Sequence, residues 1–230
     1  MDDARLRTLK TAARYLGATK ANGSFEKLQA LLEEALANLH AIAMPRHVLK
    51  QGAITQEHDK TLLFEGLPPI QSGDLCRLFQ DCREGLALLA TLGMEVDLQI
   101  RRLLVTNPAM AMAVSACGSA YVDEYIDRVL EEERSRLPKG YGLTPRFGPG
   151  YGDVPLSLQP SLLLFLGGQK LGVHLTQGFL MMPEKSVTAL MGITPKETHT
   201  CENRCALCQK TDCAFRDTET ELPATGGNAL

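Results

Sequence analysis

The most informative part of the sequence is Arg146-Phe147-Gly148-Pro149-Gly150-Tyr151-Gly152-Asp153, within a glycine- and proline-rich segment over residues 138–153. Before this segment, apolar residues recur at the three-to-four-residue spacing of amphipathic helices. After it come one more helical stretch, over residues 156–166, and runs in which apolar and polar residues alternate as in strands. Helices followed by strands, without a regular βαβ alternation, are typical of an α+β fold.

Three helices are predicted before the loop. The first covers residues 24–45, from a capping serine to a proline that ends the apolar pattern. The second covers residues 72–93 and ends near a glycine. The third, over residues 107–134, opens with an asparagine cap and a proline at the first helical position. We expect its charged end, over residues 123–136, to be a solvated helix end with ion pairs within the helix.

Strands are predicted between the first two helices and after the glycine loop. Residues 46–71, which glycines and prolines interrupt, are expected to form short extended segments and loops. Two further strands are expected over residues 171–181 and 187–191, joined as a hairpin through residues 182–186.

The composition excludes several classes of protein. The chain has 230 residues, of which 44% are hydrophobic and 22% charged, so it can bury a sizeable core. Its net charge of −3 argues against binding to nucleic acid or to a membrane surface. Apolar runs such as Leu162–Leu166 are far shorter than a membrane-spanning helix requires. We therefore expect a soluble, cytoplasmic protein.

Two motifs, in order and at suitable spacing, carry a family resemblance. The first is Arg146-x-x-Pro149-Gly150-Tyr151, and the second is Leu175-Thr176-x-x-Phe179-x-Met181-x-Pro183-x-x-Ser186-Val187. Together they resemble the activation domain of cobalamin-dependent methionine synthase, in its short stand-alone form, over roughly residues 25–193. The resemblance implies a helical N-terminal part packed on a mostly antiparallel twisted sheet.

The resemblance also implies a binding site for S-adenosylmethionine at the first motif. By this reading Arg146 binds the methionyl carboxylate, Gly148 offers backbone hydrogen bonds to the adenosyl part, and Tyr151 lines the pocket. Pro149 and Gly150 complete the binding segment. The chemistry of these residues agrees, since an arginine fork holds carboxylates and glycines leave the backbone open to a ligand.

The acidic ligand contacts of the full-length synthases are not matched. The position that aligns with the first contact is Ala120, although Asp123 and Glu124 lie nearby. No carboxylate occurs in residues 138–145, where the second contact would lie.

The resemblance implies that the function is reductive reactivation of a corrinoid methyltransferase. Methionine synthase is the first candidate for this partner. Such a module needs no general base, because it orients the methyl donor and excludes water. The Asp-x-His-x-x-Gly motif of cobalamin-binding modules is absent, since no histidine has an aspartate two residues before it. Cobalamin is therefore expected on the cobalamin-binding domain of a partner, with an electron donor as a further partner.

A cysteine cluster near the C-terminus predicts a metal site. Its members are Cys201, Cys205, Cys208 and Cys213. Four thiolates this close can hold an iron–sulfur cluster or a structural zinc ion, and thiols or a disulfide are the remaining alternative. The first three share the spacing of radical S-adenosylmethionine enzymes, a class excluded here because no barrel pattern follows the motif. Cys76, Cys82 and Cys117 are expected to be small buried side chains.

We therefore predict two parts, an activation-domain-like α+β domain over residues 1–198 and a cysteine-rich metal-binding tail over residues 199–230. A rival hypothesis makes the chain a non-catalytic iron–sulfur or zinc protein, with an electron-transfer or accessory role for another corrinoid methyltransferase. As an enzyme, the chain is expected to act as a component of cobalamin-dependent methionine synthase, a methyltransferase, rather than by itself.

Overall fold

The computed structural model describes residues 3–18, 24–57 and 60–195. Six α-helices lie in this part of the chain: α1 (Asp3–Tyr15), α2 (Ser24–Ile42), α3 (Gly73–Leu78), α4 (Met94–Thr106), α5 (Pro108–Arg136) and α6 (Gln159–Leu166). The strands are β1 (Arg46–Glu57), β2 (Thr61–Phe64), β3 (Ile70–Gln71), β4 (Glu84–Thr91), β5 (Gly142–Leu143), β6 (His174–Leu175), β7 (Met181–Met182) and β8 (Ser186–Thr194). Two 3₁₀ turns, Leu156–Leu158 and Gly168–Leu171, flank α6.

The main sheet has six strands in the order β3-β2-β1-β4-β8-β5, and every pair of neighbours is antiparallel. The long strand β1 pairs with β4 through its first part and with β2 through its last four residues. Strands β6 and β7 form a separate two-stranded sheet. The α+β class with a mostly antiparallel sheet is confirmed.

The sheet separates two apolar cores. Along β4, Leu86, Leu88 and Ala90 face the core built with α1, α2, α4 and α5. The alternate residues Ala87 and Leu89 face a second core, built with β2, α3 and α6. Because successive side chains of a strand point to opposite faces, β4 is buried on both sides.

The predicted helix over residues 72–93 is wrong beyond its first two turns. Helix α3 ends at Leu78, and Glu84–Thr91 forms the strand β4. A strand that is covered on both faces reads as a continuous apolar run, which periodicity cannot distinguish from a buried helix. Gly93 does not end a helix but precedes α4, with a φ of 88°.

The predicted hairpin over residues 171–191 is also corrected. Residues 174–182 form the small β6–β7 ribbon by themselves. Strand β8 pairs instead with β4, over eight residues on each strand, and with β5. Each stretch has the alternation of a strand, but only long-range pairing decides the neighbour.

Helix α5 agrees with the prediction at both ends. Asn107 caps it by accepting a hydrogen bond from the amide of Met110 at 3.2 Å. Near its C-terminus, three arginines pair within the helix with Glu124, Glu131 and Glu133. Within the described ranges, no helix is long and apolar enough to cross a membrane.

Candidate functional site

The glycine loop begins as an edge segment along β8. Residues 142–143 pair with residues 193–194, and Phe147 exchanges two backbone hydrogen bonds with Leu190, of 3.0 and 2.7 Å. The segment 142–147 has six residues, whereas the segment of β8 that faces it, 190–194, has only five. The loop strand therefore contains one extra residue at this pairing. Such a bulge bends a strand and redirects its side chains. The extra residue falls just before or at Arg146.

Arg146 points from this bulge to helix α5. Its Nη1 lies 3.2 Å from Asp123 Oδ1, and its Nη2 lies 3.0 Å from Asp127 Oδ1. The arginine side chain is only 9% exposed, whereas that of Asp127 is 55% exposed. Two carboxylates thus neutralise the guanidinium that the sequence assigned to a ligand carboxylate.

Two of the loop glycines are required for different reasons. At Gly148, a Cβ would lie 2.7 Å from the carbonyl oxygen of Thr188, so only glycine lets the loop approach β8 this closely. At Gly150, the φ of 85° is left-handed, but a Cβ would meet only Leu156 at 3.7 Å. Gly148 is thus a packing requirement, and Gly150 is a conformational one.

The end of the loop is tied to helix α3. The carboxylate of Asp153 accepts hydrogen bonds from the Ser72 hydroxyl, from the Gly73 amide at 2.7 Å and from the Asp74 amide at 3.3 Å. Although burial opposes ionisation, these hydrogen bonds lower the pKa of Asp153. Since Ser72 also caps α3 through the amide of Leu75, helix and loop share one hydrogen-bond network.

The loop, helix α5 and the first residues of β8 enclose a cleft of about 230 Å³. Its lining includes the loop residues Arg146, Phe147, Gly148 and Tyr151, the helix residues Ser119, Val122 and Asp123, and residues 184–189. Tyr15 from α1 completes one wall. Of the five residues predicted to bind the ligand, three line this cleft, and Pro149 and Gly150 connect them.

Several residues of the cleft were not predicted from the sequence. The Tyr15 hydroxyl donates to Asp123 Oδ2 at 3.4 Å, but α1 lies outside the stretch that carries the family resemblance. Asp123 was noted only as a neighbour of Ala120, and it is Asp123 that lines the cleft. Lys185 also lines the cleft and was not predicted. Its position inside the second motif, between Pro183 and Val187, was the signal that could have identified it as a cleft residue.

A second groove of about 510 Å³ adjoins the cleft and shares Tyr15 and Ser119 with it. It runs between α1, α4 and α5, and its lining is mostly apolar, with Leu104 and Met112 among the exposed side chains. The cleft therefore continues into a wider depression on the helical side of the molecule.

The predicted metal site cannot be placed, because Cys201, Cys205, Cys208 and Cys213 lie outside the described residues. Among the residues that are described, no three His, Cys, Asp or Glu side chains are grouped as a metal ion would need. Of the three scattered cysteines that were expected to be buried, two are buried. Cys82 and Cys117 are buried, and Cys76 is half-buried. Burial raises the pKa of Cys117 to about 12, which keeps it an inert thiol.

The comparison with solved structures agrees with this architecture, whereas the sequence comparisons found no match. Neither a family model nor a curated protein matches the sequence. Among solved structures, the crystal structure of the MetH reactivation domain bound to AdoHcy is similar, with a TM-score of 0.58 and 16% sequence identity. The similarity covers 76% of this chain and 68% of that one. At this identity the likeness concerns the fold, and the described chain has the fold of the MetH reactivation domain.

Proposed function

We propose that the chain binds S-adenosylmethionine in the cleft and acts as a stand-alone reactivation module for a corrinoid methyltransferase, with methionine synthase as the partner. The observation that carries the proposal is the cleft itself. It lies against the Arg146–Tyr151 segment, on a fold shared with a reactivation domain that was crystallised with AdoHcy.

The chemistry of the cleft fits this ligand. S-adenosylmethionine has a cationic sulfonium, an ammonium group, a carboxylate and ribose hydroxyls. Asp123 supplies a carboxylate at the cleft wall, which can accept from ammonium or hydroxyl groups. Gly148 lines the cleft, so its backbone is within reach of a bound ligand. Phe147 and Tyr151, whose ring centroids lie 6.2 Å apart, offer aromatic surface. Arg146, Gly148, Pro149, Gly150 and Tyr151 are the proposed binding segment.

The dimensions of the cleft favour a ligand that is held but not enclosed. Pockets that bury a drug-sized ligand usually measure about 300–1,000 Å³, which is more than this cleft offers. Tyr151 at its edge is 64% exposed. A bound ligand would therefore reach the mouth of the cleft, where a partner protein can approach its sulfonium methyl group.

The proposed reaction needs two partners beyond this chain. S-adenosylmethionine supplies a methyl group from its sulfonium, and a donor protein supplies one electron to the corrinoid cobalt(II) of the partner. The methyl group and the electron together give methylcobalt(III), and S-adenosylhomocysteine is left. This chain's residues have only to bind and orient the sulfonium and to keep water from the cleft. The chain would then be a component of the methyltransferase.

The test is isothermal titration calorimetry of the full chain with S-adenosylmethionine, S-adenosylhomocysteine and, as a control, adenosine monophosphate. We expect saturable binding of the first two and a rise in melting temperature with ligand concentration. A reactivation assay with the cobalamin domain of methionine synthase and a one-electron donor then tests the role. A chain that binds neither sulfur ligand but holds a redox-active metal would favour the electron-transfer hypothesis instead.

A further inference from the structure

Lys185 lies directly before β8 and reaches across to helix α5. Its Nζ donates to the hydroxyls of Ser115 and Ser119, each at 3.0 Å. These serines are four residues apart and so share one face of the helix. Gly118 lies beside the lysine stem, where a Cβ would be only 3.3 Å from Lys185 Cγ. The small residues of α5 thus form a channel that holds the lysine.

The two cations of the cleft differ in what neutralises them. Arg146 contacts Asp123 and Asp127, so the arginine with its two carboxylates carries a net charge of −1. Lys185 has hydroxyl partners instead. Among the residues whose side chains the structure describes, no carboxylate lies within 4.0 Å of its Nζ, the distance limit of an ion pair. Glu184 and Asp97 act on it only from farther away.

The surroundings of Lys185 favour an anion at its Nζ. An ammonium group has three donors, and the two serines use two of them. Burial lowers the pKa of Lys185, which means that its charge is poorly solvated in the protein. A carboxylate placed at Nζ would restore the lost solvation through a charge-assisted hydrogen bond. Lys185 and Ser119 both line the cleft, so such a group can come from a bound ligand.

The turn that carries Lys185 is itself held in place. Asp97 on α4 is 3% exposed, and its Oδ2 accepts a hydrogen bond from the backbone amide of Glu184 at 2.7 Å. Ser186 donates to the carbonyl of Pro183 at 2.7 Å. The backbone on both sides of Lys185 is therefore fixed, and its ammonium group is positioned before any ligand arrives.

We infer that Lys185, with Ser119, binds the carboxylate of the ligand's amino-acid end, and that Arg146 positions Asp123 rather than binding that carboxylate directly. This inference rests on the proposed function, since it assumes that a sulfonium amino acid occupies the cleft. Lys185 would then contact the ligand, whereas Arg146 would hold the cleft wall in place.

The experiment compares S-adenosylmethionine with its decarboxylated form, which keeps the sulfonium and an ammonium group but lacks the carboxylate. Both are titrated calorimetrically into the full-length wild type and into K185M, K185R, R146M and R146K. We expect the wild type to prefer the carboxylated ligand by roughly tenfold to a hundredfold. K185M should lose this preference through weaker binding of the carboxylated ligand alone, and K185R should retain part of it.

The controls separate the possible failures. Lys170 is an exposed lysine on the 3₁₀ turn after α6, and K170M should behave as the wild type. Thermal unfolding of each variant shows whether it is folded. The inference is overturned if folded K185M keeps the full preference, or if the arginine variants lose it while K185M does not. If the wild type binds neither S-adenosylmethionine nor its decarboxylated form, the proposed function fails, and this inference fails with it.

Discussion

At the scale of single residues, Gly148 shows how packing and binding are joined in this loop. Because a Cβ there would lie 2.7 Å from a backbone oxygen of β8, a side chain at this position would push the loop away from the strand. Gly148 also lines the cleft, so any such movement changes the shape of the wall.

We predict that Gly148→Ala destabilises the fold by about 1–3 kcal/mol, the usual cost of overpacking, and weakens S-adenosylmethionine binding at least tenfold. Urea unfolding and calorimetry measure the two effects. Gly140→Ala is the control, because its φ of 87° imposes left-handed strain but a Cβ would have nothing within 4 Å. This control should lose stability without losing affinity. Equal affinity in Gly148→Ala and wild type would remove the loop backbone from the site.

Arg146 allows a second prediction at this scale. Arg146→Ala leaves Asp123 and Asp127 without their shared cation, and it should cost about 1–3 kcal/mol of stability. The cost stays below that of a fully buried pair because Asp127 is half-exposed. Ligand affinity should fall as well, because Asp123 loses its position. Arg146→Lys restores a charge but not the fork, and should recover only part of both losses. A variant with unchanged stability and affinity would contradict both roles.

At the scale of elements, Asp153 connects the loop with the N-terminus of α3. A carboxyl whose pKa is lowered on folding stabilises the protein above its unfolded pKa of about 4, and this stabilisation is lost as the pH falls through the lower folded value. The direction of the Asp153 shift therefore places the loss on the acid side.

We predict that Asp153→Asn destabilises the protein by about 1 kcal/mol at pH 7, comparable to the loss of a helix cap. The difference from wild type should shrink as the pH falls from about 4 through the lower folded pKa of Asp153, because the folded wild-type carboxyl then loses its charge as well. Urea denaturation at pH 7 and at lower pH measures this. Glu131→Gln is a suitable control, since that glutamate is 68% exposed and pairs only across the helix surface. A difference independent of pH would show that the charge of Asp153 does not contribute.

At the scale of the whole molecule, the elements that form the cleft and the cysteine cluster are separate in the sequence. Every described residue that lines the cleft lies between Tyr15 and Ala189, whereas the clustered cysteines begin at Cys201. If the tail carries an electron relay, ligand binding and reduction can be lost independently.

We predict an iron–sulfur cluster on the tail cysteines, needed for reduction but not for ligand binding. The double variant Cys205→Ser/Cys208→Ser should keep wild-type affinity for S-adenosylmethionine and reactivate the partner more slowly with a protein electron donor. Metal analysis and visible spectra of anaerobically purified chain identify the metal, because zinc gives no visible absorption. Cys76→Ser, in the described domain, is the control. A bound zinc ion, or reactivation at the normal rate, would sink this prediction.

The sequence by itself determined the features that depend on local chemistry. Helix α5 could be predicted because an asparagine cap and a following proline define its start through neighbouring residues alone. The loop segment Arg146–Tyr151 was recognisable because glycine, proline and arginine have backbone and donor properties that need no tertiary context. The α+β class followed from the change of periodicity after residue 153.

Only the tertiary structure decided which segments meet. Strand β4 is apolar on both faces, so its sequence did not reveal whether it is helix or strand, and burial between two layers decided it. The partner of β8, the contacts of Arg146 with α5 and the contribution of Tyr15 all join residues that are far apart in the chain. Such pairings depend on how the elements pack, which local propensity does not encode. Because of this packing, Arg146 forms part of the cleft wall and Lys185 lines the cleft.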